Sequence, residues 1–185
     1  MTKTTLRQQL SHLRQRLSPE TKAQYSKQIC QIILNTPMYQ QAQTIGMYLA
    51  TPDEVNLASL VDITPHKLFY LPVLQDDYSL HFHHYDADTI LQVNRWGILE
   101  PIPQSVIDIH LLDLLLIPLL GFDNQGHRLG MGKGCYDRSI PNDFIGKKVG
   151  VGFSCQYYPH IPYEAHDIAM DCIVTEKQII LSQGK

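Results

Sequence analysis

Leu111-Leu-Asp-Leu-Leu-Leu-Ile-Pro-Leu-Leu120 is an almost unbroken aliphatic run, interrupted only by Asp113 and Pro118. Its length and flanks suit a central β-strand covered on both faces better than a surface helix, whose polar and apolar residues would segregate with helical periodicity. Pro118 has no N–H to give to a ladder and predicts the end of the strand. Downstream, a glycine-rich loop leads into a helical start at residues 136–139, a strand at 148–153 and a last strand at 171–174.

Upstream, Leu6, Leu10, Leu13 and Leu17 form an apolar stripe along a first helix. Ser18 before Pro19 reads as an N-cap with proline at the first helical position. The second helix turns Tyr25, Ile29, Ile32 and Ile33 inward, and Pro37 is expected to end it. Residues 44–49 suit a buried strand, 51–56 a loop and 57–62 a short helix, with further short strands at 67–73 and 80–85. The Pro- and Gly-containing stretch at 94–103 is the weak point at which a boundary could fall. Strands alternating with helices predict an α/β fold, a mainly parallel central sheet flanked by helices in a Rossmann-like three-layer sandwich. One domain over residues 1–185 is expected from the length and the 44% hydrophobic content.

A formal charge of −3 and a pI near 6.3 give no overall basic field, which argues against nucleic acid or an anionic membrane as partner. Cys30, Cys135, Cys155 and Cys172 show neither paired spacing nor interleaved histidines, so free thiols in a reducing compartment are expected. No signal-like stretch opens the chain and no run of about 18 apolar residues occurs, so a cytoplasmic protein is expected.

The loop Gly126-His-Arg-Leu-Gly-Met-Gly-Lys-Gly134 follows the most hydrophobic strand, at the carboxyl end where open α/β sheets bind ligands. Glycines at 130, 132 and 134 let backbone N–H groups approach an anion, and Arg128 and Lys133 add positive charge for phosphate oxygens. The spacing is neither that of a Walker loop nor the dinucleotide Gly-x-Gly-x-x-Gly. Asp137 is placed to meet a Mg²⁺ ion bound to phosphates, and equally to sit as an acid at a helix start. On a wheel of about 100° per residue, Lys3, Arg7 and Arg14 fall within roughly 40°, centred about 70° from the leucine stripe. These cations therefore border the buried face, leaning over a cleft or forming a solvated edge. Glu54 lies in a turn after a strand, and Trp96 in an irregular stretch where its ring could stack on a heterocycle or fill the core. His81, His83 and His84 read as surface histidines, with His81 and His83 sharing one face. Cys135 lies beside the cationic loop, where a reactive thiol is conceivable but nothing requires one.

Taken in order, these segments resemble the 5-formyltetrahydrofolate cyclo-ligase family. The resemblance rests on Lys3 and Arg7, Glu54, Gly97-Ile-Leu-Glu-Pro101, residues 114–118, Phe122-Asp123 through Asp137, Gln156, His166-Asp167, Asp171 and Val174-Thr-Glu176. Two departures stand out. Cys135-Tyr136 replaces two adjacent aromatics, and Pro118-Leu119 replaces Pro-Gly. The resemblance implies ATP-driven cyclisation of 5-formyltetrahydrofolate to 5,10-methenyltetrahydrofolate. It implies Arg128, Lys133 and Asp137 as catalytic residues, and Lys3, Arg7, Arg128, Gly130, Gly132, Lys133, Gly134 and Tyr136 at ATP. Glu54, Trp96, Met131 and Cys135 would face the folate, and Asp137 and Asp167 would hold Mg²⁺. A monomer with small-molecule partners is expected. The competing expectations are a folate- or nucleotide-binding protein without turnover, and a different α/β phosphotransferase using the same loop.

Overall fold

A computed structural model describes residues 2–95, 97–102 and 105–182. Helix α1 (Lys3–Gln15) is capped by Thr2, whose hydroxyl accepts from Thr5 N at 3.2 Å. Leu6 and Leu10 are fully buried and Leu13 partly, while Leu17 lies beyond the helix end. Ser18 caps α2 (Pro19–Leu34) as its sequence predicts, accepting from Thr21 N at 3.2 Å. Pro37, however, does not terminate α2. It opens α3 (Pro37–Gln41), capped by the Thr36 hydroxyl, because a first-turn residue has no intrahelical use for the missing N–H.

The chain continues through β1 (Thr44–Gly46), α4 (Ser59–Ile63), β2 (Leu68–Leu74), β3 (Leu80–Tyr85), β4 (Leu91–Val93), β5 (Leu99–Pro101) and β6 (Val106–Ile107). It then passes through β7 (Leu114–Pro118), β8 (Gly121–Phe122), β9 (Arg128–Leu129), α5 (Cys135–Ser139), β10 (Lys147–Val151), β11 (Cys172–Val174) and β12 (Ile179–Leu181). Eight strands form one sheet in the order β12-β11-β10-β7-β1-β2-β3-β6. Its centre, from β11 to β2, is parallel, and the edge strands β12, β3 and β6 are antiparallel.

Strand β7 lies between β10 and β1, and its side chains divide between two cores. Leu114 and Leu116 pack with Ile29, Ile33 and Tyr39 on the α2–α3 side, whereas Leu115 and Ile117 pack with Phe82, Ile140 and Ile173 on the other. Full burial of each such side chain contributes roughly 1.5–3 kcal/mol, which explains why the run is aliphatic on both alternating faces. Its polar interruption is structural, since Asp113 Oδ2 accepts from Gln43 N at 2.7 Å and Thr44 N at 3.0 Å, fastening the start of β1 to β7.

Of the stretch at 94–103, residues 99–101 form β5. It contributes to the β4–β5 hairpin, and buried Glu100 takes Leu74 N at 3.3 Å and Asn94 Nδ2 at 2.7 Å. Of the histidines read as surface residues, His81 is exposed and His84 half-buried, but His83 is buried where β3 pairs with Leu71 and Val106. At 3% exposure His83 is covered while His81 is not, so the expected shared surface face of His81 and His83 is not realised. Among the described residues no helix is long and apolar enough to cross a membrane.

Candidate active site

The carboxyl ends of β1, β7 and β10 deliver the loops that line two adjoining clefts. One, of about 490 Å³, is polar: Lys3, Arg7, Arg128 and Arg138 face Asp137, Glu164 and Asp167 across it, with Gly130, Gly132 and Gly134 in its wall. Four cations against three carboxylates leave a local positive excess in a chain of net charge −3. The other, of about 430 Å³, is mainly apolar and is lined by Tyr48, Leu71, Leu80, Leu119, Met131 and Tyr136, with Arg14 and Glu54 among its few charged residues. Arg128, Gly130, Gly134 and Asp137 belong to both.

The shared wall is held by charge. The Arg128 side chain, 6% exposed, donates from Nη2 to Asp137 Oδ1 at 2.8 Å and from Nη1 to Ile168 O at 2.7 Å. Ile168 N donates to the same Asp137 oxygen at 3.0 Å. Arg128 thus clamps α5 to the 164–168 turn, and Asp137 is oriented by two donors rather than left as a free helix-start acid. On α1, Arg7 Nε donates to Gly130 O at 2.8 Å, and Lys3 Nζ meets Asp167 Oδ2 at 2.7 Å and Glu164 Oε1 at 2.8 Å. Burial works against charge on Lys3, but its hydrogen bonds to Asp167 and Glu164 outweigh it and raise its pKa. Burial likewise opposes charge on Asp167, and the Lys3 ammonium holds that carboxyl below its ordinary range.

Lys3, Arg7, Arg128, the three glycines, Asp137 and Asp167 therefore line one cleft. Glu54, Met131, Lys133, Cys135 and Tyr136 line the apolar cleft instead. Lys133 Nζ sits 5.1 Å from the centre of the Tyr78 ring, and Met131 is 67% exposed at the rim. Glu54 Oε2 accepts from Thr51 N at 2.9 Å. Burial pushes the Tyr136 phenol well above its usual range and raises the Cys135 thiol, the opposite of nucleophile activation. Trp96 lies outside the described residues. Sequence reading did not assign Arg14, Arg138, Glu164 or Tyr48 to the site. Glu164 reaches Lys3 across 161 residues of chain by tertiary folding alone, and only Arg14 carried a periodic signal.

The carboxylates suit Mg²⁺. Asp137 makes its bonds through Oδ1 and Asp167 through Oδ2; among the described residues the second oxygen of each takes no hydrogen bond, and Asp167 Oδ1 lies 3.8 Å from His166 Nε2. Mg²⁺ usually takes one or two carboxylates and completes its shell with phosphate oxygens and water.

Residues 1–176 match the model of the 5-formyltetrahydrofolate cyclo-ligase family. The 5-formyltetrahydrofolate cyclo-ligase of Haemophilus influenzae is 33% identical over 175 residues, covering 89% of this chain and 92% of that protein. The Escherichia coli K12 enzyme of the same description is 32% identical over 174 residues, covering 90% and 96%. The solved structure of Aquifex aeolicus 5,10-methenyltetrahydrofolate synthetase superposes with a TM-score of 0.88 at 30% identity, covering 100% of this chain and 95% of that one.

Proposed function

The chain belongs to the 5-formyltetrahydrofolate cyclo-ligase family, and on that premise we propose how its two clefts carry out the ATP-dependent ligase reaction. The observation that carries the reading is the wall of Arg128, Gly130, Gly134 and Asp137 common to the cation-lined and the apolar cleft. A triphosphate suits the first and a flat reduced pterin the second, which brings a phosphoryl donor against the formyl group across that wall.

The formamide oxygen attacks the γ-phosphorus and the bond to ADP breaks, leaving an iminium-type phosphate at the formyl carbon. The N10 lone pair then attacks that carbon, the carbon–oxygen bond breaks, and phosphate departs with its electron pair as N10 loses its proton to phosphate or solvent. No protein nucleophile is needed, in keeping with a Cys135 thiol whose pKa burial raises. Phosphoryl transfer of this kind depends on positioning and charge neutralisation. Lys3, Arg7 and Arg128 supply positive charge, and the loop N–H groups line the phosphates. Lys133 serves them from the apolar side of the loop, and Glu54 takes N–H donors of the folate. Asp137 and Asp167 would hold Mg²⁺, which when bound offsets phosphate charge. We also read the chain as a single-domain, cytoplasmic monomer. One sheet draws strands from residues 44 to 181 and all four cysteines are free thiols, and sedimentation of the purified chain as a dimer would refute the monomer.

The test is incubation with 5-formyltetrahydrofolate, ATP and Mg²⁺, following the near-ultraviolet absorbance of the methenyl product. ATP-dependent product is expected, and ligand binding without turnover would reject the reading in favour of a binding protein. For Lys3→Ala, a KM for ATP raised by roughly 10-fold is expected, since one charge-assisted phosphate contact contributes about 1.5 kcal/mol. An unchanged ATP dependence would remove Lys3 from the phosphate site.

A further inference from the structure

Arg14 lies seven residues beyond Arg7, so about two turns and ~10 Å further along α1, and it opens on the apolar cleft rather than the polar one. It is 5% exposed, and its Nε is buried without a hydrogen-bond partner among the described residues. Asp53 feels its charge, but the Asp53 carboxylate is taken by Lys22 Nζ at 2.6 Å, and no carboxylate stands within ion-pair distance of Arg14 among the described residues. A buried guanidinium with an unmet donor is costly, and native interiors rarely keep one without a compensating partner. Here the open side of the group is a cleft. A ligand is the partner that this arrangement lacks.

The same cleft carries Glu54, an acceptor only, whose carboxylate is anchored on one oxygen by Thr51 N. Buried Tyr48 senses both charges, and its own hydroxyl is spent on Val55 O at 2.9 Å. A donor-only cation and an acceptor-only carboxylate at one apolar cleft fit a flat heterocycle that shows N–H donors and a carbonyl acceptor along one edge. The cyclic amide and 2-amino group of a reduced pterin form such an edge. We propose that Arg14 is a folate-binding residue that donates to the 4-oxo group of the pterin while Glu54 accepts from its amino and amide N–H groups. This rests on the folate reading of the apolar cleft. A glutamyl carboxylate of the folate tail is the less suitable partner, because it would have to be desolvated to reach a group this deeply buried.

Arg14→Met tests the assignment against wild type, with substrates varied one at a time. The KM and Kd for 5-formyltetrahydrofolate are expected to rise by roughly 10–100-fold, the loss expected for a charge-assisted hydrogen bond. The KM for ATP and kcat stay within about threefold, because the contact serves ground state and transition state alike. Arg14→Lys, which keeps the charge without the planar fork, falls between the two. The melting temperature of ligand-free Arg14→Met is expected to equal or exceed that of wild type, since an apolar side chain of similar length removes an unmet buried donor. A marked fall in that temperature would make Arg14 a structural residue and overturn the proposal. Unchanged folate affinity with wild-type turnover would overturn it as well. So would a defect that vanishes with 5-formyltetrahydropteroate, which lacks the glutamyl tail, because Arg14 would then serve the tail. If wild type itself forms no methenyl product, the folate reading fails first and this proposal falls with it.

Discussion

Asp137→Asn is expected to lower kcat by at least ~100-fold, the order of loss on disturbing groups that hold a catalytic metal, while the protein stays folded. Asparagine retains the shape of the side chain, and its oxygen can still accept from Ile168 N and Arg128 Nη2, the two donors that now meet Oδ1. What it removes is the negative charge. Loss of a partly buried charge partner from Arg128 is set at roughly 1–2 kcal/mol, since Arg128 keeps Ile168 O and part of the pair is solvent-screened. In a chain of this length that corresponds to a fall in melting temperature of roughly 2–8 °C. The wide separation between the two effects makes the variant informative. A structural acid would show its loss mainly in stability, and an acid that organises Mg²⁺ and phosphate shows it mainly in turnover. Near-normal kcat at saturating ATP and Mg²⁺ would reduce Asp137 to the partner of Arg128.

Arg128 and Asp137 also mark how far the sequence could be read. The glycine loop, its flanking cations and its acid were legible as an anion site because each residue type has a local physical use. That Arg128 and Asp137 are both fastened to the backbone of Ile168 depends on the 164–168 turn arriving from a distant segment. No local pattern encodes that arrival. The parallel centre of the sheet was legible for the converse reason: β7 is covered on both faces and announces itself as an aliphatic run. Edge elements such as β6 and β12, and the β4–β5 hairpin, are two or three residues long and half exposed, too short to establish a period. His83 was misjudged because alternation assigns a face but does not say which faces are covered.

Several residues that carry the family resemblance serve the backbone. Buried Asp123 accepts from Gln125 N, His127 N and Ile161 N, shaping the turn before the glycine loop. Gln156 bridges Leu119 O and Phe153 N at the ends of β7 and β10. Asp171 receives Lys148 N, and Glu176 receives Ser154 N. The resemblance is therefore long because it records the scaffold of the loops together with their chemistry. The departure Pro118-Leu119 is accommodated in the same way, with Leu119 buried against Gly150 and Gly152, at both of which a Cβ would stand within 3 Å of it.

Within the loop, the three alternate glycines look equivalent in sequence and are not equivalent in space, which leads to a second large expected effect. Gly132 has φ +102°, and a Cβ there would stand 3.2 Å from Arg7 Cζ, whereas a Cβ on Gly130 meets nothing within 4 Å. Gly132→Ala must therefore either carry strain of about 1–3 kcal/mol or turn its peptide units, and in both cases it crowds the arginine that holds Gly130 O. The polar cleft loses oriented N–H groups and a correctly placed cation together. A KM for ATP raised by roughly 10–100-fold is expected, the scale of one or two charge-assisted contacts, with the KM for folate within about threefold. Gly130→Ala should leave the melting temperature of the ligand-free protein unchanged. Because Gly132 acts in part through Arg7, adding Gly132→Ala to Arg7→Ala should cost less in ATP affinity than it does in wild type. Full additivity would mean that the loop backbone acts alone, and equal melting temperatures for the Gly130 and Gly132 variants would refute the strain at 132.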